Sequence, residues 1–338
     1  MTGPALHEAQ ISLVIPTYNR ARLVVEAVES ALRQSRPFAK IVVVDDGSED
    51  CTQKVLAAFA DKIEIVRTRN AGVQAARNSG VARIETPFVA FADSDDILDA
   101  KYVETISGWL PRHPMVDIVY CNFVEFGEFG TSADKFSEAP SGFFAGARDL
   151  AGFLVDIPDL YARTTRFQPL YPTGMTVKAK FFANIGGYDQ AFRNVGAEDY
   201  EFTLRAISRG SVALCPRPLA RIRKHAGNDS RDSLRQIVGE AAILEHGLAC
   251  HPGAGSYRGI LDDAVRQRYL HAFNQAFARA DFTLAATLQN RVRPQPTTPN
   301  YLLKKLITGL PPLLRQPIWR LSQMRTVGPA EPADRVQR

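Results

Sequence analysis

The stretch ISLVIPTYNR, residues 11–20, decides the fold. A short run that is apolar throughout ends at Pro16, a polar turn follows, and apolar residues then recur at helical spacing. This order predicts a strand, a loop and a helix. A strand that is apolar on both faces, rather than on alternate residues, is typical of a parallel sheet covered by helices.

The same order of strand, polar turn and helix recurs along the first 120 residues. Four further strands are predicted, at KIVVVDD (40–46), IEIVR (63–67), PFVAFAD (87–93) and VDIVYC (116–121). Alternation of strands and helices predicts an α/β fold with a doubly wound, mostly parallel sheet flanked by helices. Ligands of such sheets bind beyond the carboxyl ends of the strands. The polar turns TYNR, DDGS and DSDD therefore mark the expected site.

The rest of the chain divides into an irregular part and a helical part. Residues 122–170 mix Gly, Ser and Phe without a clear period, and regular patterns return before residue 228. From about residue 230 the pattern is helical. The sequence thus predicts an N-terminal tail (1–10), an α/β domain (11–228) and a mainly helical C-terminal extension (229–338).

Composition is that of an ordinary globular protein, with 338 residues, 45% hydrophobic, 23% charged and a net charge of +5. The four cysteines form no CxxC pair, so neither a zinc knuckle nor a disulfide framework is indicated. No run reaches the roughly 18 apolar residues that span a bilayer, and the N-terminus does not have the pattern of a secretion signal. We expect a cytoplasmic protein, with peripheral association at the inner face of a membrane as a further expectation.

The C-terminal part is basic, because no acidic residue lies between Asp281 and Glu331. Its cations are Arg291, Arg293, Lys304, Lys305, Arg315, Arg320 and Arg325. Within residues 301–321 they alternate with Leu, Ile and Trp319, a mixture suited to an anionic membrane surface. Three prolines interrupt this segment, and packing on the α/β domain is an equal alternative. No nucleic-acid-binding motif is found, so no nucleic-acid partner is expected.

The stretch FADSDD, residues 91–96, places three carboxylates in four positions at the end of a buried strand. Like charges so close together repel, unless a cation or a bound proton compensates. Carboxylate oxygens suit Mg²⁺ and Mn²⁺. The pattern therefore indicates a divalent metal site, and a capped or solvated turn is the alternative.

An ordered set of motifs resembles the family 2 glycosyltransferases of the GT-A fold. They are VIPTYNR (14–20), VVVDDGSED (42–50), RNAGVQAARNSG (69–80), FADSDD (91–96), GGYD (186–189) and AEDYEF (197–202). The resemblance implies an inverting, metal-dependent enzyme that transfers a sugar from a nucleotide-diphosphate sugar, UDP-linked, to a saccharide or lipid-linked glycan acceptor in polysaccharide or glycoconjugate synthesis. It further implies a nucleotide-binding half (11–121) and an acceptor-binding half (122–228) within the catalytic domain.

The resemblance also implies roles for single residues that bind the donor. A base pocket would be lined by Pro16, Thr17 and Tyr18, and Asp45 or Asp46 would accept a hydrogen bond from a uracil-type ring NH. Arg77 would neutralise phosphate, and Asp93 would contact the ribose or the metal.

For the metal and the chemistry, the implied residues are acids and one histidine. Asp95, with Asp93 and His225, would bind Mn²⁺ or Mg²⁺, which stabilises the departing diphosphate. Asp199 would be the general base that accepts the proton of the acceptor hydroxyl, and Glu198 would orient the acceptor. Acids also favour a helix N-terminus for electrostatic reasons, and a lone histidine is often structural, so these alternatives stay open.

Two other functions remain as alternatives at this point. A phosphohydrolase of the haloacid dehalogenase type also places Asp-x-Asp after a parallel strand, but on the first strand, whereas FADSDD follows the fourth predicted strand. A non-catalytic nucleotide- or glycan-binding relative would need no general base, so the presence of both Asp95 and Asp199 disfavours it.

Overall fold

The computed structural model describes residues 9–128, 130–225, 227 and 233–324. Most of the predicted N-terminal tail, and Arg325 of the basic segment, lie outside this part of the chain. All the candidate site residues lie inside it.

A single sheet of eleven strands forms the centre of the molecule. The strands are β1 (Ile11–Thr17), β2 (Lys40–Asp45), β3 (Glu64–Arg67), β4 (Phe88–Phe91), β5 (Ile97–Leu98), β6 (Ile118–Gly127), β7 (Gly130–Asp134), β8 (Arg148–Leu150), β9 (Phe153–Val155), β10 (Met175–Lys178) and β11 (Val212–Lys224). Their order is β3-β2-β1-β4-β10-β6-β11-β9-β8, with β5 paired to β11 and β7 paired to β6.

Within the described residues, seven α-helices belong to the α/β part and five to the C-terminal extension. The first set is α1 (Ala21–Leu32), α2 (Thr52–Leu56), α3 (Val73–Val81), α4 (Tyr102–Trp109), α5 (Leu160–Thr164), α6 (Ala179–Asn184) and α7 (Glu198–Arg209). The second set is α8 (Ser233–Cys250), α9 (Arg258–Ala278), α10 (Phe282–Arg291), α11 (Pro299–Gly309) and α12 (Pro312–Met324).

The predicted parallel sheet is confirmed in its first half. Strand β1 pairs in parallel with β2 and β4, and β2 pairs in parallel with β3. Every residue of β1 is buried, as its apolar sequence requires. Helix α3 packs close to β1 because Gly80 has no side chain: a Cβ there would lie 2.4 Å from Cγ1 of Val14.

The fifth predicted strand does not lie beside the fourth. Strand β10 is inserted between β4 and β6 and is antiparallel to both. The sequence did not predict β10, because its pairing joins segments far apart in the chain and leaves no local pattern. Its insertion brings Thr173 to the end of β4, where it forms a bridge with Phe91. The segment before β10 therefore reaches the predicted metal-binding turn.

The helical extension shares a hydrophobic core with the α/β part. Tyr200 and Leu204 of α7 are buried in one cluster with Ile243 and Leu244 of α8 and Phe273 of α9. Helix α7 is thus held between the sheet and the extension. Among the described residues no helix is both long and apolar enough to cross a membrane.

Candidate active site

A cavity of about 860 Å³ opens beyond the carboxyl ends of β1, β2 and β4. Nine of the predicted site residues line it: Pro16, Thr17, Tyr18, Asp46, Arg77, Asp93, Asp95, Glu198 and Asp199. Asp45 does not line the cavity, and His225 contacts it through Asp95. The structure therefore brings together motifs that are nearly 200 residues apart in the chain.

At the nucleotide end, Asp46 faces the cavity and Asp45 lies beneath it. The carboxylate of Asp46 accepts hydrogen bonds from the backbone N–H groups of Ala71 and Gly72, at 3.0 and 2.8 Å. That of Asp45 is fully buried and accepts from the N–H of Ser48 at 2.8 Å. Asp45 thus stabilises the turn that follows β2, while Asp46 joins this turn to the loop before α3 at the cavity wall. The ring of Tyr18 is 43% exposed and offers a stacking face.

In the acidic turn, Asp96 is a buried anchor. Its carboxylate accepts from the hydroxyl of Thr173 at 2.5 Å and from the N–H of Arg223 at 2.8 Å. Burial raises the pKa of Asp96 well above its usual value, and the nearby carboxylates of Asp93 and Asp95 add to this effect. The hydroxyl of Thr173 also accepts from the N–H of Asp93 at 2.9 Å. These bonds fix the turn. Asp96 also lines the cavity, but its carboxylate is engaged in them, which leaves Asp93 and Asp95 as the candidate metal ligands.

Arg77 is paired with Asp93 rather than free in the cavity. Its side chain is buried, and Nη2 donates to Oδ1 of Asp93 at 2.6 Å. The guanidinium lies over the ring of Tyr188, 4.9 Å from the ring centre. A charge-assisted bond this short positions Asp93 firmly. The predicted contact of Arg77 with phosphate stays a prediction, since this cation already balances one carboxylate.

Asp95 and His225 lie side by side, with 3.0 Å between Oδ2 and Nε2. Their side chains are only 15% and 23% exposed. Arg223, two residues before the histidine, donates from Nε to the carbonyl of Asp95 at 2.8 Å. A carboxylate next to an imidazole is a donor set that Mn²⁺ accepts. The residues present therefore fit the divalent cation that the sequence predicts.

Asp199 lies in the first turn of α7 and lines the same cavity. The turn before it is sharp, with φ values of +86° at Gly196 and +57° at Ala197. Burial, opposed by the cation Arg77 and assisted by the carboxylates of Asp93 and Glu198, raises the pKa of Asp199 to about 6. A carboxylate with a pKa near neutrality is suited to accepting a proton.

Helix α8 packs directly against the loop that precedes Asp199. A Cβ at Gly239 would lie 2.4 Å from the carbonyl oxygens of Val195 and Gly196. A Cβ at Gly196 would lie 3.0 Å from the carbonyl oxygen of Arg235. Two glycines therefore permit this close approach, and the extension sets the position of Asp199.

A pH profile tests the environment of Asp199. We expect kcat/KM to fall about tenfold per pH unit below an apparent pKa near 6, because the base must be ionised. Replacing Arg77 with Met removes the cation that lowers this pKa, so the acidic limb should move to higher pH. The exposed Arg83→Met variant is the control and should keep the parent profile. An acidic limb near pH 4 in the parent enzyme would contradict the assignment.

Residues 12–164 match the model of the family described as Glycosyl transferase family 2. This part of the chain is a family 2 glycosyltransferase domain by similarity. This finding confirms the family resemblance, and the motifs that line the cavity up to Asp95 lie within the matched region. The stretch that carries Glu198, Asp199 and His225 lies beyond it.

Curated relatives are about a quarter identical to this glycosyltransferase domain over the matched residues. Over 233 residues the chain is 28% identical to the validoxylamine A glucosyltransferase of Streptomyces hygroscopicus subsp. jinggangensis. The match covers 62% of this chain and 54% of that enzyme. Over 253 residues it is 26% identical to an uncharacterized glycosyltransferase of Rickettsia felis, covering 73% of this chain and 38% of that protein. The chain thus spans about half, or less, of the length of these relatives.

Solved structures show the same fold around the glycosyltransferase domain. The crystal structure of Staphylococcus aureus TarS 1-349 in complex with UDP-GlcNAc has a TM-score of 0.60 and 16% sequence identity. The match covers 94% of this chain and 88% of that one. The GT-A fold prediction, with a helical C-terminal region, is confirmed.

The sequence motifs missed the cavity wall that the extension supplies. Arg235, Gln236 and Glu240 of α8 and Arg268 of α9 line the glycosyltransferase cavity. Arg268 donates to Glu240 at 2.8 Å and to the carbonyl of Thr165 at 2.9 Å. No local motif marks these residues, because the sequence of this region shows only a helical pattern. Only the packing of the extension on α7 brings them to the site.

Proposed function

We propose that this protein is an inverting, metal-dependent glycosyltransferase that moves a sugar from a UDP-linked donor to a saccharide or lipid-linked glycan acceptor. The observation that carries the proposal is that Asp95 and Asp199 line one cavity, although they lie about a hundred residues apart in the chain. The cavity lies at the carboxyl ends of parallel strands, where nucleotides bind in α/β sheets. The similar TarS structures are complexes with UDP and UDP-GlcNAc, which favours a uridine nucleotide.

The donor end of the cavity would bind the nucleotide. Tyr18 stacks on the base, and Asp46 accepts a hydrogen bond from the ring NH with the lone pair that the backbone bonds leave free. Asp93, Asp95 and His225 would hold Mn²⁺ or Mg²⁺. That cation, when bound, supplies positive charge to the diphosphate as it departs.

The acceptor end carries the proton chemistry. Asp199 accepts the proton of the acceptor hydroxyl as its oxygen attacks the anomeric carbon, and Glu198 in the same turn orients the acceptor. One direct displacement, with the diphosphate leaving from the opposite face of the sugar, inverts the anomeric centre. Such a product belongs to polysaccharide or glycoconjugate synthesis.

A panel of nucleotide-sugars with Mn²⁺ tests this function. We expect UDP-linked donors to raise the free energy of unfolding, by about 2.7 kcal/mol at 100 times the dissociation constant. ADP- and GDP-linked sugars at equal concentration are the controls, and the anomeric configuration of the product, measured by NMR, tests inversion. If no nucleoside diphosphate or nucleotide-sugar stabilises the protein, the donor site is wrong.

We further propose that the basic C-terminal segment binds an anionic membrane surface. Helices α11 and α12 pack on the extension through one face, since Ile307 is buried beside Phe277 and Phe282, and Trp319 packs against this cluster. The other face exposes large apolar side chains: Leu302, Leu303, Leu306, Leu313, Leu314, Ile318 and Leu321. Lysines and arginines flank them, and acidic residues are absent from residues 282–330. This combination favours insertion at a negatively charged interface.

Vesicle binding tests the membrane proposal without removing the buried residues of these helices. The triple variant Leu306→Glu, Leu313→Glu, Leu321→Glu should lose sedimentation with vesicles that contain phosphatidylserine, because it puts acids on the inserting face. Met115→Glu is the control, because Met115 is 81% exposed and lies outside helices α11 and α12. Equal binding of the parent protein to neutral vesicles, or unchanged binding of the triple variant, would contradict the proposal.

A further inference from the structure

A second cavity, of about 520 Å³, lies beside α7 and the C-terminal end of α8. Glu201, His246, Cys250 and His251 are among its lining residues. None of the four lines the donor cavity. Three of them, Glu201, His246 and His251, offer ligand atoms that all lie within 4.8 Å of one another.

The spacing of two of these atoms is that of metal ligands. Oε1 of Glu201 and Nε2 of His251 are 3.5 Å apart, and their side chains are 2% and 1% exposed. Nε2 of His251 has no hydrogen-bond partner. Two ligands at about 2.0–2.1 Å from a tetrahedral Zn²⁺ lie roughly 3.4 Å apart. A buried nitrogen is thus aimed at a carboxylate at the distance expected with a metal ion between them.

Neighbouring groups hold both side chains in place. The hydroxyl of Tyr161 lies 3.0 Å from Nδ1 of His251. When that hydroxyl accepts the proton of Nδ1, the lone pair of Nε2 points at Glu201. Arg205 donates to both oxygens of Glu201, at 2.7 and 2.8 Å, and leaves each oxygen with a second lone pair. In this tautomer two buried acceptors face each other, an arrangement that a cation between them stabilises.

The sequence of α8 presents further donors in helical register. His246 and Cys250 are four residues apart and lie on one face of the helix, and His251 follows directly. His246 is half-buried and its ring contacts Phe192, with 5.0 Å between ring centres. Two imidazoles with one carboxylate form a donor set for Zn²⁺, unlike the oxygen-rich set near Asp95.

We propose that Glu201, His246 and His251 bind a structural Zn²⁺ ion that ties α7 to α8. Cys250 lines the same cavity, and its thiolate or a water molecule would complete the coordination of the ion. Glu201 is two residues beyond Asp199 on α7, so the ion would hold the helix that carries the base against the extension. The site is independent of the proposed donor chemistry, because its ligands are separate from those of the donor cavity.

Zinc binding to the full chain tests the site. The parent for this test carries Asp95→Ala, which removes a ligand of the proposed donor metal, and is freed of metal with EDTA. Titration calorimetry with Zn²⁺ alone should show one ion per chain, and Zn²⁺ should raise the midpoint of thermal unfolding. His246→Ala in this background should weaken zinc binding by at least the 10–100-fold found when outer-shell partners of metal ligands are lost, and should abolish the thermal shift.

Controls separate loss of a ligand from loss of the fold. His271→Ala, at an exposed histidine of α9, should bind Zn²⁺ as the parent does. His246→Gln keeps the size of the side chain and should show the same loss as His246→Ala, with thermal unfolding in EDTA unchanged from the parent. The proposal is overturned if the parent binds no Zn²⁺ at micromolar concentration, or if both His246 variants bind it as tightly as the parent. The first of these outcomes would mean that a proton, shared between Glu201 and His251, takes the place of the metal.

Discussion

Replacing Asp199 with Asn is expected to lower kcat for sugar transfer by about 10²–10⁴-fold, the range that general base catalysis contributes. The amide has the shape of the carboxylate but cannot accept the proton of the acceptor hydroxyl. Donor binding should change little, because Arg77 stays paired with Asp93 at 2.6 Å. Initial rates of UDP release and the dissociation constant of UDP, measured on the same preparation, check both expectations.

The adjacent acid supplies a matched control for this experiment. Glu198→Gln changes the same turn of α7 and should raise KM for the acceptor more than it lowers kcat. Loss of the Glu198 charge also removes a favourable interaction with the helix N-terminus, about 0.3–1 kcal/mol of stability, whereas burial disfavours the charge that Asp199→Asn removes. If Asp199→Asn weakened donor binding as much as it slowed transfer, Asp199 would be a structural residue and the base would lie elsewhere.

Replacing Asp95 with Ala is expected to abolish the Mn²⁺ dependence of donor binding. Asp95 is the acid that pairs with His225 at 3.0 Å, and its loss leaves the imidazole without the carboxylate beside it. We expect the affinity of the protein for Mn²⁺ in the presence of UDP to fall by at least about 10–100-fold. Loss of a residue that only supports a metal ligand already has an effect of this size. Calorimetry with UDP, with and without Mn²⁺, measures this change.

Asp99→Ala is the comparison for Asp95→Ala, since Asp99 is an exposed acid four residues further along the chain. It should keep the Mn²⁺ dependence of UDP binding. Retention of that dependence in Asp95→Ala would show that FADSDD is a capped turn rather than a metal site.

The parallel half of the sheet could be predicted because its signal is local. Strands β1, β2 and β4 are short apolar runs that end in a polar turn, and burial on both faces requires that composition. Strand β10 carries no such signal. Its position depends on pairing between Met175 and Phe91, which only the folded chain brings together.

At the site, the sequence predicted which residue types are present, but not which of the acids face the ligand and which hold the structure. Asp45 and Asp46 are neighbours, and adjacent residues of an extended chain point to opposite sides. The sequence could not show which one faces the ligand, and the structure selects Asp46. Similarly, Asp93, Asp95 and Asp96 look alike in the sequence. Hydrogen bonds from Thr173 and Arg223, both distant in the chain, make Asp96 the buried anchor.

The contact between Gly239 and the backbone at residues 195–196 has a consequence for engineering. In a chimera that takes its extension from a homologue, the loop at residues 195–196 and helix α8 would need to come from the same parent protein. If the homologue has a larger side chain at position 239, that side chain would displace the loop in front of Asp199. The chimera would then lose turnover, even with the nucleotide half intact. The natural crossover point for recombination therefore lies ahead of residue 195, not at the start of α8.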